Sequence, residues 1–499
     1  MTPLAQASEM KAADPMEQAG NGEDRSTRDY GSITPKKEWQ AVLIAVFLVG
    51  LSVTVMALPA PTGLSRAGQQ VLAVAILAIG LWCTDVIPAA VTGLLVIVAL
   101  TLSGGVPGLK EALVGFADPV GYFLIGVLTL GLAVSRSGLA ERVALFFLRH
   151  CRGSSRALYV QLLLSFPLLT LLLPSATTRT GILVHVYEQA LDLSRVPRGA
   201  HLTKAVMLAL NSINRLASTV LLTGGITPVL AASLIGGFSW SRWLVLMIVP
   251  YAALLVIGTL LIYVLHRGGF ATSLPLIPAA DPKPLSAREI RTLAITIGAS
   301  LLWLTDSLHH WNPALPAIIA LVLLLMPGIG VISWRDFEKG FGWSNFFVTA
   351  CSLSLARALA SSGASAWIAE SIIRMTPGLA RDPFMVVLMI LVIAAPVRLL
   401  IPYITGFLAT TIPIAMSIGQ ATGINPIICA LAAMVAGDAV LYYPAQSASS
   451  LVVYERGHLT AGEIFRFGLW MTLVGYLVVL FVALPYWSAV GESLRIVVR

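Results

Sequence analysis

Charge is what this sequence has least of. Only 11% of its 499 residues are Asp, Glu, Lys or Arg, about half the usual share, while 57% are hydrophobic and the mean hydropathy is +0.86. A soluble domain needs more polar surface than that, so the composition points to a polytopic membrane protein. It excludes a disordered chain and a nucleic-acid-binding protein. Cysteine is also scarce. Cys83, Cys151, Cys351 and Cys429 are scattered, with no CxxC or metal-ligand spacing, which excludes a secreted disulfide scaffold. HExxH, GxSxG and DxD motifs and Cys/His clusters are lacking near the membrane boundaries, so neither an enzyme nor a resident cofactor is expected. An apolar stretch near the start is lacking too. Residues 1–38 are polar and mixed in charge, and read as a disordered tail rather than a signal peptide.

Long apolar runs are what the chain has in their place. Trp39 to Leu58 is long enough to cross about 30 Å of hydrocarbon, and Pro59 and Pro61 stop it. Apolar stretches then recur from residue 70 to 265. A polar segment from His266 to Arg291 separates them from a second series, which ends near residue 487. Several stretches are short or broken by Pro, Gly and polar residues. Irregular backbone at membrane depth persists only where protein buries it or a cavity adjoins it, so the breaks point to function.

The two series resemble each other. Leu-Trp-Cys-Thr-Asp (81–85) recurs as Leu-Trp-Leu-Thr-Asp (302–306). Phe116 matches Phe341, Ser137-Gly138 matches Ser362-Gly363, and Ala176-Thr177-Thr178 matches Ala409-Thr410-Thr411. The expected fold is therefore an all-α polytopic membrane protein of two repeats, with substrate near the midplane where broken helices meet.

At these residues the chain resembles the divalent anion–sodium symporter family, which carries dicarboxylates, citrate or sulfate. In that family each repeat has a re-entrant hairpin with a Ser-Asn-Thr tip, then a helix broken at a Gly-Thr-Pro-Pro-Asn-like loop. LLPSATTRTG (172–181) is similar to the first tip, with Ser175-Ala176-Thr177 in the motif's place, and ITGFLATTIP (404–413) to the second, with Leu408-Ala409-Thr410. LLTGGITPVLAAS (221–233) and YYPAQSASSLVV (442–453) resemble the two broken-helix loops. The resemblance implies inverted repeats and about eleven transmembrane helices. Its organisation would be a first helix at 39–68, repeat 1 at 69–265 with an inward-opening hairpin at about 158–191, a cytoplasmic linker at 266–291, repeat 2 at 292–488 with an outward-opening hairpin at about 384–421, and a tail at 489–499. It also implies a homodimer, a cytoplasmic N-terminus and elevator-type movement.

Carried over residue by residue, the resemblance places substrate at Ser175, Ala176, Thr177, Thr178, Ala409, Thr410, Thr411 and Ser447, and a coupling ion at Ser175, Thr177, Thr410 and Gly225. Arg179 and Arg215 join the substrate candidates, and Asp438 the coupling candidates, as charged residues at membrane depth beside a tip or break. Both tip asparagines are alanine here, and a methyl cannot replace an amide oxygen on a hard cation. Backbone carbonyls and the threonines leave room for a weak sodium site.

Basic residues test the topology independently. The segments expected inside hold 21 of the 32 Lys and Arg residues and those expected outside hold 8, in the sense of the positive-inside rule. The net charge of +8 is thus mainly orientation. The remaining three, Arg179, Arg215 and Arg398, lie at membrane depth with His185, Glu188 and Asp438. Charges there line cavities or pair. Arg179 offers a fork to a carboxylate or sulfate, or pairs with Glu188. Asp438 is the candidate coupling carboxylate, or pairs with Arg215 or Arg398. His185 can titrate near neutral pH or simply pack.

The expected activity is secondary transport of small divalent or carboxylate anions across the cell membrane, with lipid and a small anion as partners. Sodium symport, proton symport and anion exchange all remain open. A cation antiporter or arsenite-type permease of the wider ion-transporter fold is the alternative, disfavoured by three membrane arginines against few acids.

Overall fold

The computed structural model describes residues 35–151, 153–173, 175–271, 273–274, 284–379 and 382–495. Residues 1–34 of the tail expected at 1–38, the linker core at 275–283 and the end at 496–499 lie outside the described residues, and residues 35–38 belong to the first helix rather than to a tail. Among the described residues there is no β-strand, and only two isolated bridges.

Helix α1 (Pro35–Ala57) is exposed along most of its length and leans on α2 (Arg66–Thr84) through the Ser52 hydroxyl, which donates to the Ala73 carbonyl at 2.9 Å. Then come α3 (Ala89–Ser103), α4 (Pro119–Ser137) and the amphipathic α5 (Leu139–Arg149). Gly138, at φ 84°, makes the turn between α4 and α5, a conformation that a side chain disfavours. The first hairpin is α6 (Ser155–Leu172) and α7 (Ala176–Leu193). Next is a broken helix, α8 (residues 201–219, with a π turn at Ala209–Ile213) and α9 (Ile226–Ile235), and then the long α10 (Trp240–Leu265).

The second half repeats this order. It has α11 (Ala287–Leu304), α12 (Ala314–Leu325), α13 (Trp343–Ser361) and the amphipathic α14 (Ala364–Met375), with Gly363 at φ 78° in the place of Gly138. The second hairpin is α15 (Pro383–Leu400) and α16 (Ile404–Thr422). The second broken helix is α17 (Pro426–Asp438) and α18 (Ala448–Tyr454), followed by α19 (Ala461–Ala489). The paired Leu-Trp-x-Thr-Asp motifs close α2 and α11, where Trp82 and Trp303 each donate to a carbonyl at or just before the next helix, Ala89 at 3.3 Å and Pro313 at 3.0 Å.

Eight helices among the described residues are long and apolar enough to cross a membrane, against about eleven expected. Three of the eight (α6, α15 and α16) are hairpin arms, and the other five reach eleven with α11, α13, the shorter α3 and α12, and the two broken helices. The hairpins enter from opposite faces. The base of the first adjoins residues 273–274, just past the end of α10, where Leu274 N–H donates to the Gly153 carbonyl at 2.7 Å. The base of the second adjoins 494–495, where Asn425 N–H donates to the Leu494 carbonyl at 3.0 Å. That second place lies at the start of α10, since Arg242 pairs with Glu492 at 2.5 Å. About 39 Å of α10, at 1.5 Å per residue over its 26 residues, separates the two bases.

Candidate functional site

Both hairpin tips and both helix breaks are built by backbone chemistry legible in the chain. A residue before proline is pushed out of the helical region. Leu173, before Pro174, and Ile401, before Pro402, accordingly turn extended and end the first arms (ψ 88° and 108°). Leu-Pro-Ser-Ala-Thr (173–177) is therefore equivalent to Ile-Pro-Tyr-Ile-Thr (401–405). This corrects the match drawn between the two Ala-Thr-Thr segments. Ala409, Thr410 and Thr411 lie five or more residues beyond the second tip, inside α16. There Ala409 and Thr410 are buried, and the hydroxyls of Thr410 and Thr411 bond back to the Gly406 and Phe407 carbonyls at 2.7–3.0 Å.

Ser175 caps α7, its Oγ accepting from the Thr178 N–H at 3.3 Å and the Thr178 hydroxyl at 3.0 Å. Ala176 is half-buried, and Thr177 is exposed, with no hydrogen bond from its hydroxyl among the described residues. Gly225 stands extended at the head of α9, and Ser447 at the head of α18, 2.8 Å from Ser449 Oγ. Helices α7, α9, α16 and α18 thus all begin at a tip or a break. The last three start without a side-chain cap, which leaves first-turn N–H groups and the positive end of the helix dipole to meet an anion.

Arg179 is fully buried one turn into α7. Its guanidinium donates to the Leu173 carbonyl (2.8 Å), the Asn214 carbonyl (2.8 Å), Asn214 Oδ1 (2.6 Å) and Ser218 Oγ (2.6 Å). It therefore ties the first tip to the first broken helix. Arg398 does the same for the second repeat from the other arm. It donates to Ile401 (2.6 Å), Pro402 (3.0 Å), Gly437 (3.1 Å) and Gln446 (3.5 Å), all main-chain carbonyls, with the Phe407 ring 6.0 Å away. Gln446 returns a bond to the Arg398 carbonyl at 2.7 Å. Each cage is made of neutral oxygens, the ligands a hard cation takes, and each already holds a guanidinium. Neither arginine has a carboxylate partner among the described residues.

Arg215 differs. It donates to the carboxylate and the carbonyl of Asp438, and Thr219 Oγ1 (2.7 Å) and Tyr251 OH (3.0 Å) complete the carboxylate. This neutral pair joins the two broken helices at their breaks. Ser450 adds a second tie, 2.6 Å from Asn211 Oδ1. Glu188 is held by His458 (2.7 Å) and Arg456 (3.5 Å), not by Arg179, and Arg456 also reaches His185 Nε2 at 2.8 Å. Sequence reasoning did not assign Asn214, Ser218, Tyr403 or Gln446 to the site. The Leu-Pro and Ile-Pro pairs were the signal that locates Tyr403; the others are polar residues whose partners lie more than thirty positions away.

Helices of this number, with two hairpins and two broken helices set in opposite directions, define a multi-pass membrane carrier built from inverted repeats. The chain belongs to the family described as the sodium:sulfate symporter transmembrane region, which matches residues 36–492. It is 23% identical to the sodium-dependent dicarboxylate transporter SdcS of Staphylococcus saprophyticus, over 85% of this chain and 86% of that one. It is also 23% identical to the citrate/succinate antiporter of Escherichia coli K12, over 72% and 77% respectively. The solved structure of the Alcanivorax borkumensis YdaH transporter shares the fold at a TM-score of 0.53 and 15% identity, covering 92% of this chain and 100% of that one.

Proposed function

We propose that this protein is a secondary carrier of small divalent or carboxylate anions (a dicarboxylate, tricarboxylate or sulfate) and that it works by anion exchange without a sodium ion. One observation carries the reading. Two buried guanidinium groups with no carboxylate partner among the described residues stand where helix N-termini meet the tips and breaks. Their charge attracts an anion, and their occupation of the oxygen cages removes the place for a coupling cation. Membership of the family and the likeness to dicarboxylate and citrate/succinate carriers support the substrate class.

In this reading the substrate-facing groups are the first-turn N–H groups at the three uncapped helix heads (α9, α16 and α18), the Ser175, Thr177 and Ser447 hydroxyls, and the field of Arg179 and Arg398. The mobile unit comprises the hairpins and broken helices. The N-terminus faces the cytoplasm of a cell whose plasma or inner membrane holds the protein, with support from the bias of basic residues. The test is uptake of labelled succinate, citrate and sulfate into proteoliposomes preloaded with the same unlabelled anion. Uptake of at least one above protein-free vesicles is expected. The reading fails if none is taken up by protein that is folded and correctly inserted.

A further inference from the structure

The two Leu-Trp-x-Thr-Asp turns occupy equivalent places in the repeats but hold different partners. The first turn grips the second hairpin at its tip. Asp85 Oδ1 accepts from the Tyr403 hydroxyl at 3.0 Å, and Cys83 Sγ lies 2.6 Å from the Leu400 carbonyl. The Trp82 ring presses on Gly406 so closely that a Cβ there would stand 2.8 Å from Cε3. Among the described residues the second turn takes no hydrogen bond from the first hairpin. Asp306 accepts instead from the Ser241 hydroxyl (2.8 Å) and the Ser241 N–H (3.2 Å), at the head of α10.

This asymmetry has a direction. Helix α10 is tied to both broken helices, Trp243 Nε1 donating to the Thr219 carbonyl and Tyr251 OH to Asp438, each at 3.0 Å, and so belongs to the unit that they and the hairpins form. The tips lie midway along that unit, whereas Ser241 lies at its end, at the head of α10. The unit is therefore set toward the first turn, so that its middle meets Asp85 and its end meets Asp306. Inverted repeats allow the opposite setting, in which each repeat takes the other's contacts. The residue at Tyr403's place in the first hairpin is Ser175. Its Oγ accepts both of the hydrogen bonds that it makes among the described residues, and the hydroxyl can also donate. The residue at Ser241's place, two past the cap of α19, is Gly462.

We propose that Asp85 and Asp306 are paired positioning residues that exchange partners during transport. In the opposite-facing state Asp306 leaves Ser241 and takes Ser175 at the first tip, while Asp85 leaves Tyr403 and faces the head of α19. The proposal rests on the carrier reading above, but its test does not depend on which anion moves.

The test is disulfide cross-linking of the full chain in proteoliposomes. Cys151, Cys351 and Cys429 are replaced by Ala, and a protease site is placed within 275–283 so that a link joins the two halves. The present setting is reported by Cys83 with Leu400→Cys. The opposite setting is reported by Leu304→Cys with Leu172→Cys, the equivalent positions, in a Cys83→Ser background. Both pairs should link under copper phenanthroline. Asp85→Asn should raise the ratio of the second link to the first by roughly 2- to 10-fold, the range expected from weakening one hydrogen bond, and Asp306→Asn should leave it unchanged or lower it. The proposal is overturned if the second pair never links where the first links fully, or if Asp85→Asn lowers both links equally. Failure of anion uptake with both links intact would count against the carrier reading alone.

Discussion

Arg179 holds both oxygens of Asn214, the side-chain amide at 2.6 Å and the main-chain carbonyl at 2.8 Å. One side chain in the first hairpin thereby fixes the first broken helix at the point where it departs from regular helix. Arg398 holds the Ile401 and Gly437 carbonyls to the same end in the second repeat. The arginines come from opposite arms of their hairpins, so the likeness is one of chemistry and place rather than of aligned sequence.

Removing Arg179 empties an oxygen cage. In Arg179→Gln the Leu173, Asn214 and Ser218 acceptors lose their donors, at about 1–3 kcal/mol for each buried group left unsatisfied. The melting temperature should fall, and sodium should partly restore it because the cage can then take a cation. The check is thermal unfolding in sodium against choline buffer. The wild type should show no difference, and the account fails if it gains from sodium as much as the variant does.

How much of this was legible in the chain differs by level. The membrane class, the two halves and the glycine turns after Ser137 and Ser362 follow from composition and short matches, because hydrophobic runs and left-handed turns are local properties. The second tip did not follow, because Ala-Thr-Thr looked like a motif while Pro402 carried the actual turn. That Arg179, Arg215 and Arg398 were exceptional was visible from burial cost alone. Which of them paired with Asp438 was not, since the partner of Arg215 lies 223 residues away.

The Arg215–Asp438 pair should behave as a unit. Asp438→Asn leaves a guanidinium that is only 11% exposed without its carboxylate, at up to about 3–5 kcal/mol. Replacing both, as Arg215→Met with Asp438→Leu, should cost less than Asp438→Asn alone. A double-mutant cycle on thermal unfolding checks this, and a double variant no more stable than the single would contradict it.

Two glycines give a paired steric test. A Cβ on Gly224 would stand 1.8 Å from the Ser218 carbonyl oxygen, backbone that cannot step aside, whereas one on Gly181 meets nothing within 4 Å. Gly224→Ala should therefore distort the first break and abolish uptake. Gly181→Ala, in the interior of α7, should leave uptake intact and stabilise the helix by roughly 0.5–1 kcal/mol. Uptake and melting of the two variants decide it.

His266 stands just past α10, its Nδ1 3.3 Å from His201 Nδ1. Burial is the main cause that holds its proton affinity below the ordinary histidine value, with His201 adding to it. The unfolded chain then takes up a proton first, near pH 6.5, so stability drops as pH falls through that value and levels off below the folded pKa. His266→Asn should flatten this part of the curve of melting temperature between pH 7.5 and about 5. An unchanged slope in the variant would refute the assignment.

The central claim is that two resident guanidinium groups stand in place of a coupling cation. Its most direct measurement is the initial rate of labelled succinate uptake into succinate-loaded proteoliposomes, with all sodium replaced by choline. The account predicts the same rate in both media and little uptake into vesicles lacking internal anion. A rate that collapses without sodium and recovers when sodium is restored would contradict it.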